Sequence, residues 1–283
     1  MLPHTRAVVG GRIPLVYVEP AGSKGGGSGA PRHLCIWQPG FSGAKEAVLP
    51  RLRELADAGF VALCFDAPDH GERLVDEDAA ALGKRVRSNL RKYFWEILRD
   101  HAREFSIVID WAIDALGIDP LAVAVGGNSA GGDAAVAAAG LDSRIIACAT
   151  VVSTPDWLRP GSIEPPGKPD LRSQACFDDA CPFTNLAHYR KHRPAIAFHC
   201  GAEDVQVPPE AALRFRQALA DDYGEGSSEP GLQALIPGGE RLQVVLHAGL
   251  GHGGIPAAEI ATCNFLREHT IGAALERSLT AKL

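Results

Sequence analysis

Three side chains that together can carry out nucleophilic chemistry occur in this sequence, in the order Ser129, Asp204 and His252. A serine hydroxyl is a poor nucleophile until a histidine accepts its proton, and an acidic residue must hold that histidine in the right orientation. With all three in place, the serine can attack a carbonyl carbon and form a covalent acyl-enzyme intermediate. The surroundings of each residue indicate whether the chain can bring them together.

Ser129 lies in the segment Gly126-Gly-Asn-Ser-Ala-Gly-Gly132. The apolar run Leu121–Val125 before it is typical of a fully buried parallel strand, and no proline interrupts the alanine-rich stretch after it. A strand, a sharp glycine turn and a helix, with a strained serine at the apex, form a nucleophile elbow. Gly127 and Gly131 fit this interpretation, because we expect the turn to be too tight for a Cβ atom at these two positions. The alternative is that Ser129 only caps the helix.

Asp204 is the predicted acidic member, because it follows a strand in the order that a triad of this kind requires. The run Pro194–Cys200 predicts the strand, and Gly201 opens the turn that carries Asp204. Glu203 is the nearest substitute. A purely structural role for Asp204 in the turn is the other interpretation.

His252 is the predicted general base among the ten histidines. It lies in the glycine-rich segment 248–254, after the last predicted strand, so it can reach back to the serine. His70, His199 and His247 are the competitors, but His199 lies within a predicted strand and His247 ends one. We expect the serine, the aspartate and the histidine to converge at the carboxyl-terminal edge of the sheet.

An oxyanion that forms during attack on a carbonyl needs two backbone N–H donors. Ala130 is the first candidate, because it follows the nucleophile at a helix N-terminus, where the helix dipole favours negative charge. Phe41 is the second, because Gly40 lets its N–H turn into the site from the loop Gln38-Pro-Gly-Phe-Ser-Gly43. The alternative is that this loop only connects a strand to a helix.

Other potential ligands do not form a metal-binding pattern. His188 and His192 have the i, i+4 spacing of two ligands on one helix, but no acidic residue follows the metalloprotease pattern. Cys176 and Cys181 lack two further ligands at zinc spacing. We therefore expect no metal and no cofactor.

The elements that must position these residues alternate between strands and helices, which predicts an α/β fold with a mostly parallel sheet and helices on both faces. We expect a single domain over residues 1–283. The predicted strands are Arg6–Val9, Ile13–Glu19, His33–Gln38, Phe60–Phe65, Leu121–Val125, Arg144–Val152, Pro194–Cys200 and Leu242–His247. The predicted helices are Ala44–Ala58, Asn89–Leu116, Ser129–Ala139, Pro208–Asp222 and Ala257–Glu268. The predicted surface loops are Ala21–Ala30 and Tyr223–Glu240.

Residues 154–193 interrupt this alternation. The segment is rich in proline, glycine and charge and is too long for a plain connection between two strands. We expect it to form a small cap insertion over the site. Trp157, Phe177 and Phe183 are its candidates for lining the acyl pocket, and shielding of the sheet edge is the alternative role.

Composition excludes several classes of protein. The chain is 46% hydrophobic and 22% charged, as in an ordinary globular protein. Its net charge of −6 shows no basic excess, so neither nucleic acid nor an anionic membrane surface is an expected partner. No apolar run has transmembrane length, and no apolar segment follows a basic start as in a secretion signal. Seven cysteines without close CxxC spacing favour a reduced, cytoplasmic protein.

These motifs resemble those of the α/β-hydrolase superfamily, and more narrowly those of small bacterial serine esterases related to dienelactone hydrolases and prolyl-oligopeptidase catalytic domains. The resemblance extends from about residue 33 to residue 270 and implies the α/β-hydrolase fold. It also makes His70 a turn residue rather than the base. The segments that carry it are Pro-Gly-Phe-Ser-Gly (39–43), Phe-Asp-Ala-Pro-Asp-His-Gly-Glu-Arg (65–73), Gly-Asn-Ser-Ala-Gly (127–131), Gly-Ala-Glu-Asp-x-x-Val-Pro (201–208) and Gly-Leu-Gly-His (249–252).

Two departures bear on what the resemblance implies. Gln38-Pro39 stands where the family usually has His-Gly, and only Gly40 of that loop start is kept. Dienelactone hydrolases use a cysteine nucleophile where this chain has Ser129, so their substrate class is not implied.

The expected activity is hydrolysis of small carboxylic esters through an acyl-enzyme intermediate. Amide hydrolysis or another acyl transfer on the same three residues is one alternative, and a catalytically silent binding protein of this fold is another. An ester has a better leaving group than an amide, and residues 154–193 are too few for the large domain with which prolyl oligopeptidases restrict access. We therefore expect short-to-medium acyl esters rather than proline-containing peptides as substrates. The sequence does not indicate an oligomeric state.

Overall fold

The computed structural model describes residues 2–22, 32–224 and 241–280, so most of the predicted loops Ala21–Ala30 and Tyr223–Glu240 lies outside the described residues. Within these ranges the strands are β1 (Thr5–Val9), β2 (Ile13–Val18), β3 (Arg32–Gln38), β4 (Phe60–Phe65), β5 (Ile118–Asn128), β6 (Ile145–Val151), β7 (Ala195–Gly201) and β8 (Leu242–His247). They form one sheet in the order β1-β2-β4-β3-β5-β6-β7-β8. β1 and β2 form an antiparallel hairpin, β2 is antiparallel to β4, and the other neighbours are parallel.

Helices connect the parallel strands. In the described part of the chain they are α1 (Leu49–Asp57), α2 (Ala79–Ser88), α3 (Leu90–Leu116), α4 (Ala130–Leu141), α5 (Leu171–Ala180), α6 (Leu186–His192), α7 (Glu210–Tyr223), α8 (Pro256–Arg267) and α9 (Ala273–Thr280). Short 3₁₀ turns cover Lys45–Val48, Gly71–Arg73 and Pro182–Thr184, and a π-helical turn covers Glu268–Gly272. None of the described helices is both long enough and apolar enough to cross a membrane.

The sequence patterns predicted most strands and the long helices close to their observed bounds, but β5, predicted as Leu121–Val125, extends over Ile118–Asn128. The predicted limits of α3 are confirmed, because the Asn89 side chain accepts a hydrogen bond from the backbone N–H of Lys92, and Gly117 ends the helix in the left-handed conformation at φ 65°. Helices α2, α5, α6 and α9 were not predicted. The predicted α/β class is confirmed.

The position of β3 in the sheet creates the crevice in which a ligand can bind. β3 lies between β4 and β5. The next strand in the chain, β4, is therefore on one side of β3, and the following strand, β5, is on the other. The loops that follow β3 and β5 therefore diverge at the carboxyl-terminal edge, which is where ligands bind in open α/β sheets. This switch point brings Gly40 against the elbow: a Cβ atom at Gly40 would lie 3.6 Å from the Cβ of Ser129.

Two apolar layers cover the two faces of the sheet. Helices α3 and α4 pack on one face, with Phe105 and Val136 fully buried there. Helices α1 and α8 pack on the other face through Leu52 and Phe265. Helix α4 is buried almost all round, since its alanines and glycines let neighbouring elements approach closely; a Cβ at Gly140 would lie 2.6 Å from the ring of Tyr189.

The segment 154–193, predicted as a cap, contains α5 and α6 and packs against the first of these faces. Trp95 on α3 donates a hydrogen bond from Nε1 to the carbonyl oxygen of Trp157 at 3.1 Å. The Tyr189 hydroxyl donates to the Val136 carbonyl on α4 at 2.8 Å. These contacts make much of the segment a continuation of the core beside the site.

Candidate active site

The backbone around Ser129 has the geometry expected of a nucleophile elbow. Ser129 has φ 50° and ψ −122°, outside the regions that L-residues favour, and its N–H donates to the Val151 carbonyl at 2.8 Å. A Cβ atom at Gly127 would lie 2.7 Å from the backbone carbon of Gly131, and one at Gly131 would lie 2.3 Å from the Pro39 oxygen. Both glycines are therefore required by close backbone approach. The Ser129 side chain makes no capping hydrogen bond, so the helix-cap interpretation has no support.

Ser129, His252 and Asp204 form a continuous hydrogen-bonded series. The distance from Ser129 Oγ to His252 Nε2 is 3.0 Å, and His252 Nδ1 lies 2.8 Å from Asp204 Oδ2. Asp204 Oδ1 accepts hydrogen bonds from the backbone N–H groups of Gln206 and Val207 at 3.0 and 2.8 Å. The Asp204 side chain is fully buried, whereas that of His252 is 20% exposed. The aspartate is thus fixed in place, and it can hold Nε2 of the imidazole toward the serine.

The competing residues lie elsewhere. Glu203 is exposed, and its backbone N–H donates to the loop that carries His252. His199 Nδ1 lies 3.1 Å from His247 Nε2, so these two rings pair with each other. His70 Nδ1 bonds to a carbonyl oxygen of its own turn, and burial lowers the pKa of His70. Among the described residues, the histidine that is hydrogen-bonded to Ser129 Oγ is His252 and none of these three.

The two predicted oxyanion donors flank the serine. Ala130 is the first residue of α4, whose initial N–H groups have no acceptor within the helix. The Phe41 ring lies edge-on to the rings of His70 and Phe94, with centroids 5.2 and 5.7 Å apart, and this packing holds the loop after β3. Among the described residues, no backbone carbonyl accepts a hydrogen bond from the N–H of Phe41 or Ala130. Both donors are therefore available to an acceptor at the elbow.

A cavity of about 410 Å³ opens beside Ser129 and His252, between helices α1 and α8. The wall near the serine is apolar and is formed by Val151, Val152 and Ile255. Farther along the two helices the wall becomes polar, with the side chains of Arg51, Glu54, Glu259 and Thr262. This volume is sufficient for a small organic group next to the serine.

A much smaller cavity, of about 10 Å³, lies on the other side of the elbow. Phe41, His70, Phe94 and His101 line it together with Ala130. Burial lowers the pKa of His101 to about 3, so this histidine is neutral near pH 7. This side has space for no more than about one water molecule.

The three aromatic residues predicted to line the acyl pocket are not in the wall of the cavity beside Ser129. Trp157 and Phe177 are 2% and 6% exposed, and the Phe177 ring lies 4.4 Å from that of Trp95. Phe183 packs near Phe215, with ring centroids 6.3 Å apart. Trp157 and Phe177 thus belong to the core beside α3, and Phe183 is partly buried against it. None of the three lines the cavity between α1 and α8 that opens beside Ser129.

A buried ionic network that was not predicted joins α4 to the loop of Asp204. Arg159 donates to Asp133 Oδ2 and to Glu164 Oε2, both at 2.8 Å. Gln206 Nε2 donates to Glu164 Oε1 at 3.2 Å, and Gln206 is one of the residues whose N–H groups hold Asp204. The one signal in the sequence is the charge of Asp133 within an otherwise apolar helix, and its partner could not be identified from the sequence.

Comparison with known proteins agrees with this architecture. Residues 99–255, more than half of the chain, match the prolyl oligopeptidase family. Esterase YjfP of Escherichia coli strain K12 is 29% identical over 277 residues, which cover 91% of this chain and 95% of the esterase.

Two solved structures share the fold over nearly their whole lengths. TT1662 from Thermus thermophilus has a TM-score of 0.68 and 22% identity, covering 95% of this chain and 98% of its own. A Klebsiella pneumoniae protein assigned as a dienelactone hydrolase has a TM-score of 0.65 and 14% identity, covering 96% and 99%. At these identities the likeness concerns the fold alone. Together, the family match and the architecture establish that this chain is an α/β hydrolase belonging to the prolyl oligopeptidase family.

Proposed function

We propose that this protein hydrolyses small carboxylic esters, with Ser129 as nucleophile, His252 as general base and acid, and Asp204 as the residue that orients His252. The observation that carries the proposal is the hydrogen-bonded series from Ser129 Oγ through His252 to Asp204, at 3.0 and 2.8 Å. The similarity to Esterase YjfP over 95% of that protein's length supports ester substrates.

In the first half of the reaction, Ser129 Oγ attacks the ester carbonyl carbon while its proton passes to His252 Nε2. The buried carboxylate of Asp204 stabilises the imidazolium that forms. The negative charge on the former carbonyl oxygen is stabilised by the N–H groups of Phe41 and Ala130. When the tetrahedral intermediate collapses, the C–O bond to the alcohol breaks and His252 donates its proton to the leaving oxygen.

In the second half, water attacks the acyl-enzyme. His252 Nε2 accepts a proton from the water as its oxygen bonds to the carbonyl carbon, and the same two N–H groups stabilise the oxyanion. The bond between the carbonyl carbon and Ser129 Oγ then breaks, and Oγ regains its proton from His252. The products are an alcohol and a carboxylic acid, and the enzyme returns to its starting state.

Peptide or amide hydrolysis is the second candidate, because the family is named for a peptidase activity. An amide nitrogen is a poorer leaving group than an alkoxide and needs well-placed contacts to depart. Ester hydrolysis is therefore favoured for a triad beside an open cavity. The two candidates are distinguished by comparing kcat/KM for esters with kcat/KM for p-nitroanilides of proline peptides.

The proposal is tested by active-site labelling and ester hydrolysis in the same preparations. Wild type should react with a fluorophosphonate probe and hydrolyse p-nitrophenyl acetate, while Ser129→Ala should do neither. Ser88→Ala is the matched control, because this exposed serine bonds only to a carbonyl in its own helix, and it should keep both activities. A folded wild-type protein that neither reacts with the probe nor cleaves any ester would contradict the proposal and indicate a binding protein.

We also propose that the protein works in a reducing compartment such as the cytoplasm. None of the seven cysteines is in a disulfide, and six of them are buried. Burial raises the pKa of Cys181 to about 11 and of Cys200 to about 12, so these thiols stay protonated and inert. Fractionation of the native host, with an antibody against the protein, tests this location.

A further inference from the structure

The cavity beside Ser129 is a slot that descends between two helices. Helices α1 and α8 both start at the carboxyl-terminal edge of the sheet and lie on the same face. Residues farther along each helix are therefore deeper in the slot. Val48 and Ile255 lie at its mouth, whereas Arg51 and Thr262 lie farther down.

Arg51 spans the slot from α1 to α8. Its Nη1 donates to the Glu259 carbonyl at 2.8 Å, and its Nη2 donates to the Thr262 hydroxyl at 2.7 Å, both on α8. Nη1 also donates to Glu54 on the same helix at 2.9 Å. The guanidinium carbon lies 4.5 Å from the centre of the Trp37 ring, which supports the group from the sheet. Arg51 thus crosses the slot at a fixed distance from Ser129.

Two N–H donors of Arg51 are left over after these bonds. An arginine has five N–H groups, and three of them are used here. Nε is buried, and in the described part of the chain no atom accepts a hydrogen bond from it. A buried donor without an acceptor is costly, so an oxygen atom at the end of the slot would stabilise the complex. Because Glu54 and Glu259 also line this end, a neutral oxygen is favoured over an anion.

The part of an ester that best fits a slot crossed by Arg51 beyond the serine is the acyl group. After the first half of the reaction the acyl group is covalently bound to Ser129, at the mouth of the slot. An alcohol held deeper in the slot would have to leave past that bond. An acyl group can instead remain in the slot until water releases it.

We propose that the slot between α1 and α8 binds the acyl group of the substrate, and that Arg51 donates a hydrogen bond to a neutral oxygen at its far end. The substrate class is esters of acids with an aliphatic segment next to the carbonyl and an ether, keto or hydroxyl oxygen beyond it. The apolar residues near Ser129 match the first part, and the unused donors of Arg51 match the second. The inference rests on the proposed ester hydrolysis.

The test uses pairs of p-nitrophenyl esters that differ by one atom. Octanoate is compared with its analogues in which an oxygen replaces one methylene, moved stepwise along the chain. When the oxygen is at the position of Arg51, wild type should prefer the ether by about ten-fold or more in kcat/KM, as expected for a hydrogen bond from a charged donor. Arg51→Met keeps the stem that packs on Trp37 and should lose this preference. Arg53→Met is the control: Arg53 lies on the same helix, bonds to the Leu2 carbonyl and should keep it.

A second variant tests the slot without touching Arg51. Ala47 is exposed at the mouth, so Ala47→Phe should lower kcat/KM for octanoate relative to acetate by about ten-fold. Identical ether preferences in wild type and Arg51→Met would overturn the role of Arg51, and an unchanged chain-length profile in Ala47→Phe would overturn the slot. If the oxygen effect appears instead when the alcohol is varied in acetate esters, the acyl assignment is wrong. Absence of any ester hydrolysis by wild type would instead contradict the proposed function.

Discussion

The two sides of the Ser129 elbow differ in how they are filled. Toward α3, the side chains of Phe41, Phe94 and His101 leave a cavity of about 10 Å³. Toward α1 and α8, a cavity of about 410 Å³ is open beside the same serine. Both cavities lie beside the same sheet and the same turn at Ser129. The difference in their volumes therefore comes from the helices that cover each face of the sheet.

The contrast separates two requirements of the proposed reaction. Donors for an oxyanion must not move, and the filled side holds the Phe41 loop and the start of α4 against a close-packed layer. A substrate needs space, and the open side provides it. Substitutions on the filled side should therefore reduce stability or turnover, whereas those on the open side should change substrate preference.

The largest effect on turnover is expected at the triad itself, where the filled side and the open side meet. Ser129→Ala and His252→Ala should each lower kcat for p-nitrophenyl acetate by about three orders of magnitude or more, and Asp204→Asn by somewhat less, because the three act as a unit. Circular dichroism checks that each variant is folded. Near-normal turnover by folded Ser129→Ala would exclude this serine as nucleophile.

A large loss of stability is expected when the buried network on the filled side is cut. Arg159→Met leaves Asp133 buried without its cation, which should lower the free energy of unfolding by about 3–5 kcal/mol. Turnover should fall as well, because Glu164 then holds the loop of Asp204 less firmly. Arg190→Met is the control, because its pair with Asp222 is partly exposed to water and should contribute less than about 1 kcal/mol. Urea denaturation measures both, and equal losses would contradict the special role of the network.

A single methyl group should distinguish the two sides. Gly131→Ala places a Cβ 2.3 Å from the Pro39 oxygen, so the loop after β3 must shift, at a cost of about 1–3 kcal/mol in stability. Gly254→Ala, on the open side, meets no atom within 4 Å and should leave the thermal unfolding midpoint nearly unchanged. The comparison fails if both variants shift the midpoint equally.

The smallest expected effect is the loss of folding stability at acidic pH. Burial lowers the pKa of His101 to about 3 and of His199 to about 4, from 6.5, so both are neutral in the folded protein near pH 7. The unfolded chain takes up these protons below about pH 6.5, and stability therefore falls as the pH drops toward 4. Between pH 6.5 and 5 the loss should be up to about 2 kcal/mol per histidine.

His101→Leu isolates the contribution of the filled side to this pH dependence. The variant should lose less stability than wild type over the same pH range, because it has no proton to take up at this position. Denaturant unfolding at pH 7.5, 6.5 and 5 measures the slope. An unchanged slope in His101→Leu would show that this histidine does not contribute.

The sequence predicted the parts of the molecule that depend on local patterns. The apolar run before Ser129, the glycines at 127 and 131 and the order of the three polar residues indicated the fold, and the structure brings Ser129 and His252 together. These features could be identified because a tight turn or a buried strand restricts residue type at adjacent positions.

The side of the elbow that is open could not be predicted in the same way. It depends on how Arg51 and Thr262, far apart in the chain, meet between two helices. Trp157 and Phe177 are the large apolar residues expected in a pocket lining, but both are buried against Trp95 of α3 and belong to the core. Residue type alone does not distinguish the two outcomes, because both require large apolar side chains.

The pairing of β3 with β5 also has a consequence for folding. Gln38 and Gly127 are register partners although the whole of α1, β4, α2 and α3 lies between them in the chain. Contacts between such distant segments form slowly, because loop closure must precede them. The oxyanion loop and the elbow can therefore meet only after this pairing, and the placing of Asp204 and His252 requires three further strands, β6, β7 and β8. Recovery of ester hydrolysis during refolding should lag behind the return of helical circular dichroism, so that enzymatic activity reports the completion of the whole sheet.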